Sequence, residues 1–283
     1  MQLTEIPNIK FIGAGGRPSL LDVILPQKVV KMPLVIFAHG FKGFKDWGHF
    51  PLLSKKIAEA GFAVVKFNFS HNGGTLEEPI DFPDLKAFSE NTYSKEQADL
   101  KSIINWAKKE QELPMGYWNK KEVYLVGHSR GGSMAILQAA QNSAIKKVVS
   151  WAAVSDLQKR LPSETELKKW KSKGVRYIKN GRTEQEMPMK YQFVEDLLAN
   201  QEELNLQLAT KQINIPQLIL HATDDEAVPV EMAQELKKWN PNADLKLINK
   251  GGHTFGGKHP YLKEKLPKPS EILLEHTVNF LKS

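Results

Sequence analysis

The run Val123-Tyr124-Leu125-Val126 is followed at once by Gly127-His128-Ser129-Arg130-Gly131, and then by Gly132-Ser133-Met134-Ala135-Ile136-Leu137-Gln138-Ala139-Ala140. The first stretch predicts a strand and the last a helix, so the residues between them must make a very tight strand-to-helix turn. In such a turn flanking side chains collide, which calls for glycine on both sides and pushes the serine hydroxyl up off the sheet edge. That is how an exposed nucleophile is presented. A bare G-x-S-x-G also occurs in Gly-rich turns that bind phosphate or merely close tightly; here the strand before it and the helix after it supply the context the motif requires.

A serine hydroxyl is inert at neutral pH unless a base takes its proton, and the base needs a partner that holds its tautomer. Downstream, the strand-like Ile215-Pro216-Gln217-Leu218-Ile219-Leu220-His221 runs into Ala222-Thr223-Asp224-Asp225-Glu226-Ala227-Val228-Pro229. A second strand candidate, Ala243–Ile248, runs on to Gly251-Gly252-His253-Thr254-Phe255. Both an acid and a histidine thus lie just past strand ends, where open α/β sheets carry their chemistry. Of the eight histidines, His253 alone sits in a glycine-flanked loop after the last strand. His259 in the same loop is the alternative base, and His128 should point away from the serine hydroxyl. Asp225 is the favoured acid, with Asp224 one residue away and Asp156, after the strand that follows the elbow helix, as alternatives.

These residues resemble the α/β-hydrolase superfamily over nearly the whole chain. The motifs are the elbow at 127–131, an Asp-x-x-Val-Pro loop at 225–229, the Gly-Gly-His loop at 251–253 and His39-Gly40-Phe41 after an early strand. Within the superfamily the chain is similar to the dienelactone-hydrolase-like and prolyl-oligopeptidase-like branch, which includes small cinnamoyl-type carboxylesterases. The resemblance implies a Ser129–His253–Asp225 triad that cleaves an ester through an acyl-enzyme. It also implies an oxyanion hole from the backbone N–H groups of Phe41 and Arg130. Trp47, His71, Asn72 and Met187 are the candidates for lining the substrate pocket. A non-catalytic ligand-binding member, or an acyltransferase or thioesterase using the same triad, is the alternative class.

Strands alternating with helices predict an α/β fold with a mostly parallel central sheet flanked by helices. Strands are expected at Ile9–Ile12, Leu20–Leu25, Pro33–Ala38, Phe62–Phe69 and Lys147–Ala153, with helices at Phe50–Ala60 and Ser94–Glu110. The regularity breaks over 155–211, which is long, charged and partly helical, with Asp196–Ala209 as its helix and no buried-strand signal. Residues 1–154 and 212–283 would form the core domain and 155–211 a cap inserted after the strand that follows the nucleophile helix. Trp170, Met187, Met189, Tyr191 and Phe193 could roof an acyl or aromatic group there.

The chain has 283 residues, no cysteine and a net charge of +7. Thiol catalysis and cysteine-ligated metals are therefore excluded. The basic residues are spread along the chain, densest over Lys159–Lys190, without a nucleic-acid motif, and read as solvated surface; an anionic substrate is the sharper alternative. No metal-ligand cluster or dinucleotide fingerprint occurs, so no cofactor is expected. No apolar run reaches the roughly 18 residues needed to span a bilayer. The first 30 residues lack a signal-peptide core, which gives a cytoplasmic expectation. The expected partner is a small ester, with neither nucleic acid nor membrane; the pattern carries no signature of oligomeric state.

Overall fold

The computed structural model describes residues 2–27, 31–109 and 118–283. β1 (Leu3–Ile12) and β2 (Pro18–Pro26) form an antiparallel hairpin. β1 starts earlier than its apolar pattern suggests, because a register shift between Ile6 and Ile9 breaks the alternation. At the break the Asn8 N–H donates to Asp22 Oδ1 at 2.9 Å. The chain then follows β3 (Met32–Ala38), α1 (Phe50–Glu59), β4 (Ala63–Phe67), α2 (Leu85–Ser89) and α3 (Tyr93–Lys109). Glu110, the expected end of the last of these, lies outside the described residues. Next come β5 (Trp118–His128), α4 (Arg130–Gln141) and β6 (Ile145–Trp151).

Between β6 and the next strand of the sheet lie α5 (Glu164–Lys173), β7 (Val175–Lys179), β8 (Glu186–Lys190), α6 (Gln192–Ala199) and α7 (Leu206–Gln212). Two features here differ from the sequence reading. β7 and β8 pair as an antiparallel hairpin where no strand was expected. Their charged residues hide the alternation: only Met187 and Met189 are buried on β8 and nothing is fully buried on β7. The helix expected over Asp196–Ala209 is two helices. Asn200 ends α6, and the Asn205 side chain accepts the Leu208 N–H at 2.9 Å to start α7. Asparagine favours such ends because its short side chain bonds local backbone.

β9 (Gln217–Ala222), α8 (Glu231–Trp239), β10 (Asp244–Ile248) and α9 (Lys268–Lys282) complete the chain. The eight-stranded sheet runs β1-β2-β4-β3-β5-β6-β9-β10; β1–β2 and β2–β4 pair antiparallel, and every other pair is parallel. This is the expected α/β-hydrolase architecture. Residues of the central strands alternate between two cores. Leu34, Ile36, Val123 and Leu125 face one, and Val35, Phe37, Tyr124 and Val126 face the other. Burial on both faces is why these strands read as continuous apolar runs. Among the described residues no helix is long and apolar enough to cross a membrane.

A buried ionic cluster fastens the loop after β3 to the sheet. Asp22 on β2 and Lys66 on β4 are register partners and ion-paired, and Lys45 Nζ lies 2.8 Å from Asp22 Oδ2. Both lysines also pair with Asp46. Lys45, Lys66 and Asp22 are each less than a tenth exposed. Removing one cation would leave buried carboxylates undercompensated, which costs far more than the intact cluster contributes. Lys66→Met should therefore lower the unfolding free energy by about 3–5 kcal/mol, read from the urea midpoint. A loss below 1 kcal/mol would show that water replaces the ammonium.

Candidate active site

Ser129 stands between β5 and α4 with φ 55° and ψ −123°, a strained conformation for a residue with a side chain. The strain is held from both sides. The Ser129 N–H donates to the Trp151 carbonyl at 2.7 Å, and its own carbonyl accepts from Gly132 and Ser133. A Cβ on Gly127 would strike the Gly131 carbonyl, and one on Gly131 would strike the carbonyls of Ala38 and His39. The glycines thus let the elbow close on itself and let the end of β3 press against it.

Across the sheet edge, His253 Nδ1 donates to Asp225 Oδ2 at 2.8 Å. That leaves Nε2 of the neutral ring as the acceptor. The other Asp225 oxygen accepts the N–H groups of Ala227 and Val228, at 2.9 and 2.8 Å, and the carboxylate is fully buried. Burial pulls the Asp225 carboxyl upward, but the His253 hydrogen bond, the Val228 N–H and nearby His221 outweigh it and leave it below the usual range. The rival residues are engaged elsewhere. Asp224 accepts the Gly252 N–H at 2.9 Å, bracing the histidine loop rather than the imidazole. Asp156 accepts the Gln158 and Lys159 N–H groups. His259 Nδ1 accepts the Gly48 N–H.

His128, the residue before the serine, has a role the sequence reading missed. Its Nε2 donates to the His253 carbonyl at 2.9 Å, tying the elbow directly to the histidine loop. Its burial, with the His253 imidazole beside it, pushes His128 down to about 3, so it stays a neutral donor. His39 is similarly neutral: burial pushes it down to about 4. It accepts the Phe69 N–H on Nε2 and donates from Nδ1 to the Gly40 carbonyl at 2.9 Å, which orients the turn carrying Phe41.

A Cβ on Gly40 would come within 3.0 Å of the Ser129 Cβ, so this turn abuts Ser129. The Phe41 N–H has no acceptor among the described residues. Arg130 opens α4, where an N–H has no intrahelical acceptor and the helix dipole favours negative charge. The two side chains are themselves joined. The Arg130 guanidinium lies 4.0 Å from the Phe41 ring centroid, with Tyr93 and Phe193 at 4.9 and 5.3 Å. It pairs with buried Glu96 at 3.2 Å.

Two cavities flank Ser129 and His253. The smaller, about 240 Å³, is lined by Phe41, Trp47, Phe50, His128 and Asn180 among others. The larger, about 420 Å³, is walled by Phe41, Tyr93, Trp170, Met189 and Phe193. Trp47 lines the smaller cavity, while the three other pocket candidates line neither. Met187 shares a face of β8 with Met189 but is wholly enclosed in the core. His71 Nδ1 donates to Ser70 Oγ. Asn72 donates to the Gly43 carbonyl at 3.2 Å, so it holds the loop rather than the ligand space.

The sequence profile of the dienelactone hydrolase family matches residues 22–283. The chain belongs to the dienelactone hydrolase family. Among solved structures it is similar to Est1E from Butyrivibrio proteoclasticus bound to ferulic acid, with a TM-score of 0.74 at 20% identity over 97% of this chain and 98% of that one. It is also similar to the dienelactone hydrolase from Anabaena variabilis ATCC 29413, with a TM-score of 0.66 at 15% identity over 100% and 98% of the two chains. A curated relative, an uncharacterized 31.7 kDa protein of the traX-finO intergenic region of Escherichia coli, is 29% identical over 132 residues, 47% of this chain. The match spans 41% of that relative's length.

Four buried histidines carry a pH signature. His39, His49 and His71 are pushed down to about 4 and His128 to about 3, burial being the largest cause for each. Below pH ~6.5 the unfolded chain binds protons that these folded rings refuse, so stability is full above that pH and is lost as pH falls toward 4. Each such group adds a slope of up to ~1.4 kcal/mol per pH unit within the window. The urea midpoint should hold between pH 8 and 7 and fall steadily from 6.5 to 5. A flat profile across that range would contradict the neutral assignment.

Proposed function

We propose that the protein is a serine esterase that cleaves a carboxylic ester through an acyl-enzyme. One observation carries the reading: the 2.8 Å Asp225–His253 hydrogen bond shares a cavity lining with a serine held on a strained elbow. Ser129 Oγ attacks the ester carbonyl as its proton passes to His253 Nε2. The resulting imidazolium is stabilised by the Asp225 carboxylate, which orients the ring without taking the proton. The carbonyl oxygen, now an anion, is met by the N–H groups of Phe41 and Arg130. Collapse expels the alcohol, which takes the proton from His253. Water, deprotonated by the same imidazole, then releases the acid and restores Ser129.

In this reading residues 155–211 are a cap over a core of 1–154 and 212–283, since Trp170, Met189 and Phe193 wall the larger cavity from that segment. The aromatic walls suit an acyl or aryl group. The Arg130–Phe41 stack couples the two oxyanion donors, and Glu96 holds the guanidinium in place.

Ser129→Ala should lower kcat on short p-nitrophenyl esters at least a thousandfold, and undiminished turnover would refute the reading. Asp225→Asn should cost about 10³–10⁴ in kcat by favouring the wrong tautomer. Asp224→Asn, which alters only a backbone contact, should cost less than about tenfold; steady-state kinetics of the pair separates the two carboxylates. Arg130→Lys keeps the charge but loses the planar stack. It should lower kcat about tenfold with KM within about twofold, because the donors act mainly on the transition state.

A further inference from the structure

The larger cavity is lined by four cations, Lys42, Arg130, Arg160 and Arg176, and by no carboxylate. Arg130 is answered by Glu96. The other three are not: Arg160 and Arg176 form no ion pair among the described residues, and the Lys42 ammonium meets no acid, only the Lys179 carbonyl at 3.4 Å and the Phe41 ring at 6.0 Å from its centroid. Of the nearby basic residues that do not line this cavity, three find acids, while Lys168, Lys169, Lys171 and Lys173 form no ion pair among the described residues. Lys159 pairs with Glu235, Lys179 with Glu184 and Lys190 with Glu90. In the smaller cavity Arg182 pairs with Asp81. Lys42 lines both cavities, whereas the two arginines without an acid, Arg160 and Arg176, line only the larger one.

The rest of this cavity's wall is largely apolar, with Phe41, Tyr93, Trp170 and Phe193 among aliphatic side chains, and the Arg176 guanidinium is seated 5.0 Å from the Trp170 ring centroid. Stacking restricts the guanidinium beforehand, so less freedom is lost when it binds. Three positive charges without an acid balance a dianion better than a monoanion, and arginine offers paired N–H donors to a phosphate. Resting on the esterase reading, we propose that the ester's half lodged in the larger cavity bears a phosphate, separated from the scissile carbonyl by a short apolar stretch.

Two matched substrate sets test this with the intact protein. One comprises the acetate esters 4-acetoxybutyl phosphate, 5-acetoxypentanoate and hexyl acetate, which put the charge on the alcohol half. The other comprises p-nitrophenyl 4-phosphonobutyrate, p-nitrophenyl hydrogen glutarate and p-nitrophenyl valerate, which put it on the acyl half. In one set the phosphate or phosphonate member should exceed both others in kcat/KM by about tenfold or more. That ratio should collapse at least tenfold in Arg160→Gln/Arg176→Gln and shrink as salt rises. The glutamine variant keeps length and polarity, and its urea midpoint reports whether it folds. Equal or better turnover of the carboxylate or neutral member in both sets, or a ratio untouched in the folded variant, overturns the proposal. Wild-type protein that hydrolyses no member of either set fails the esterase reading itself; turnover without phosphate preference fails only this inference.

Discussion

The close approach of three backbone segments, the end of β3, the end of β5 and the start of α4, is the constraint on which the site depends. Gly127 and Gly131 have no room for a Cβ, since each would drive one into a carbonyl of a neighbouring segment. The contact holds Ser129 in a backbone conformation that it would not adopt alone, and it sets the Phe41 turn against its side chain. Strain of this kind persists only where the surroundings over-determine it. Here they do, through the Ser129–Trp151 hydrogen bond and the carbonyl contacts to Gly132 and Ser133.

A second layer of polar contacts fastens the loops to that framework. His128 joins the elbow to the histidine loop, Asp224 braces the same loop at Gly252, and His39 and Asn72 hold the two ends of the Phe41 turn. The Asp22–Lys45–Asp46–Lys66 cluster then anchors the loop beyond Phe41 to β2 and β4. His128, His39 and Asn72 bring neutral rings and an amide, Asp224 accepts a backbone N–H, and the four charges of the cluster are mutually paired. Buried polar contacts favour a unique arrangement when every member is satisfied. Such an arrangement fixes the loops around Ser129 and His253 in one geometry.

The two cavities divide the labour differently. On the smaller side the cation that comes from the 155–211 segment, Arg182, is neutralised; on the larger side the segment contributes aromatic walls and arginines with no acid to answer them. The β7–β8 hairpin supplies both Arg176 and Met189 to that wall from paired positions. The same hairpin was invisible in the sequence because its strands are short and largely exposed, so neither a buried run nor a clean alternation marks them.

The sequence alone determined the strand–elbow–helix unit, the order of Ser129, Asp225 and His253 past strand ends, and the parallel sheet, because each is written in residues close along the chain: glycines at a steric pinch and apolar runs of strand length. It favoured Asp225 but kept Asp224 as a rival, since neighbours in one loop differ only in which way they point; folding aimed Asp225 at the imidazole and Asp224 at the Gly252 N–H. It also misjudged Met187, His71 and Asn72, whose types suit a pocket but whose side chains are used in packing or in holding loops. Only the tertiary structure decided that Arg130 stacks on Phe41 and that Arg160 and Arg176 converge without acids beside Ser129. Those facts depend on segments distant in sequence meeting in space, and local patterning carries no information about where a charge finds, or fails to find, its counterion.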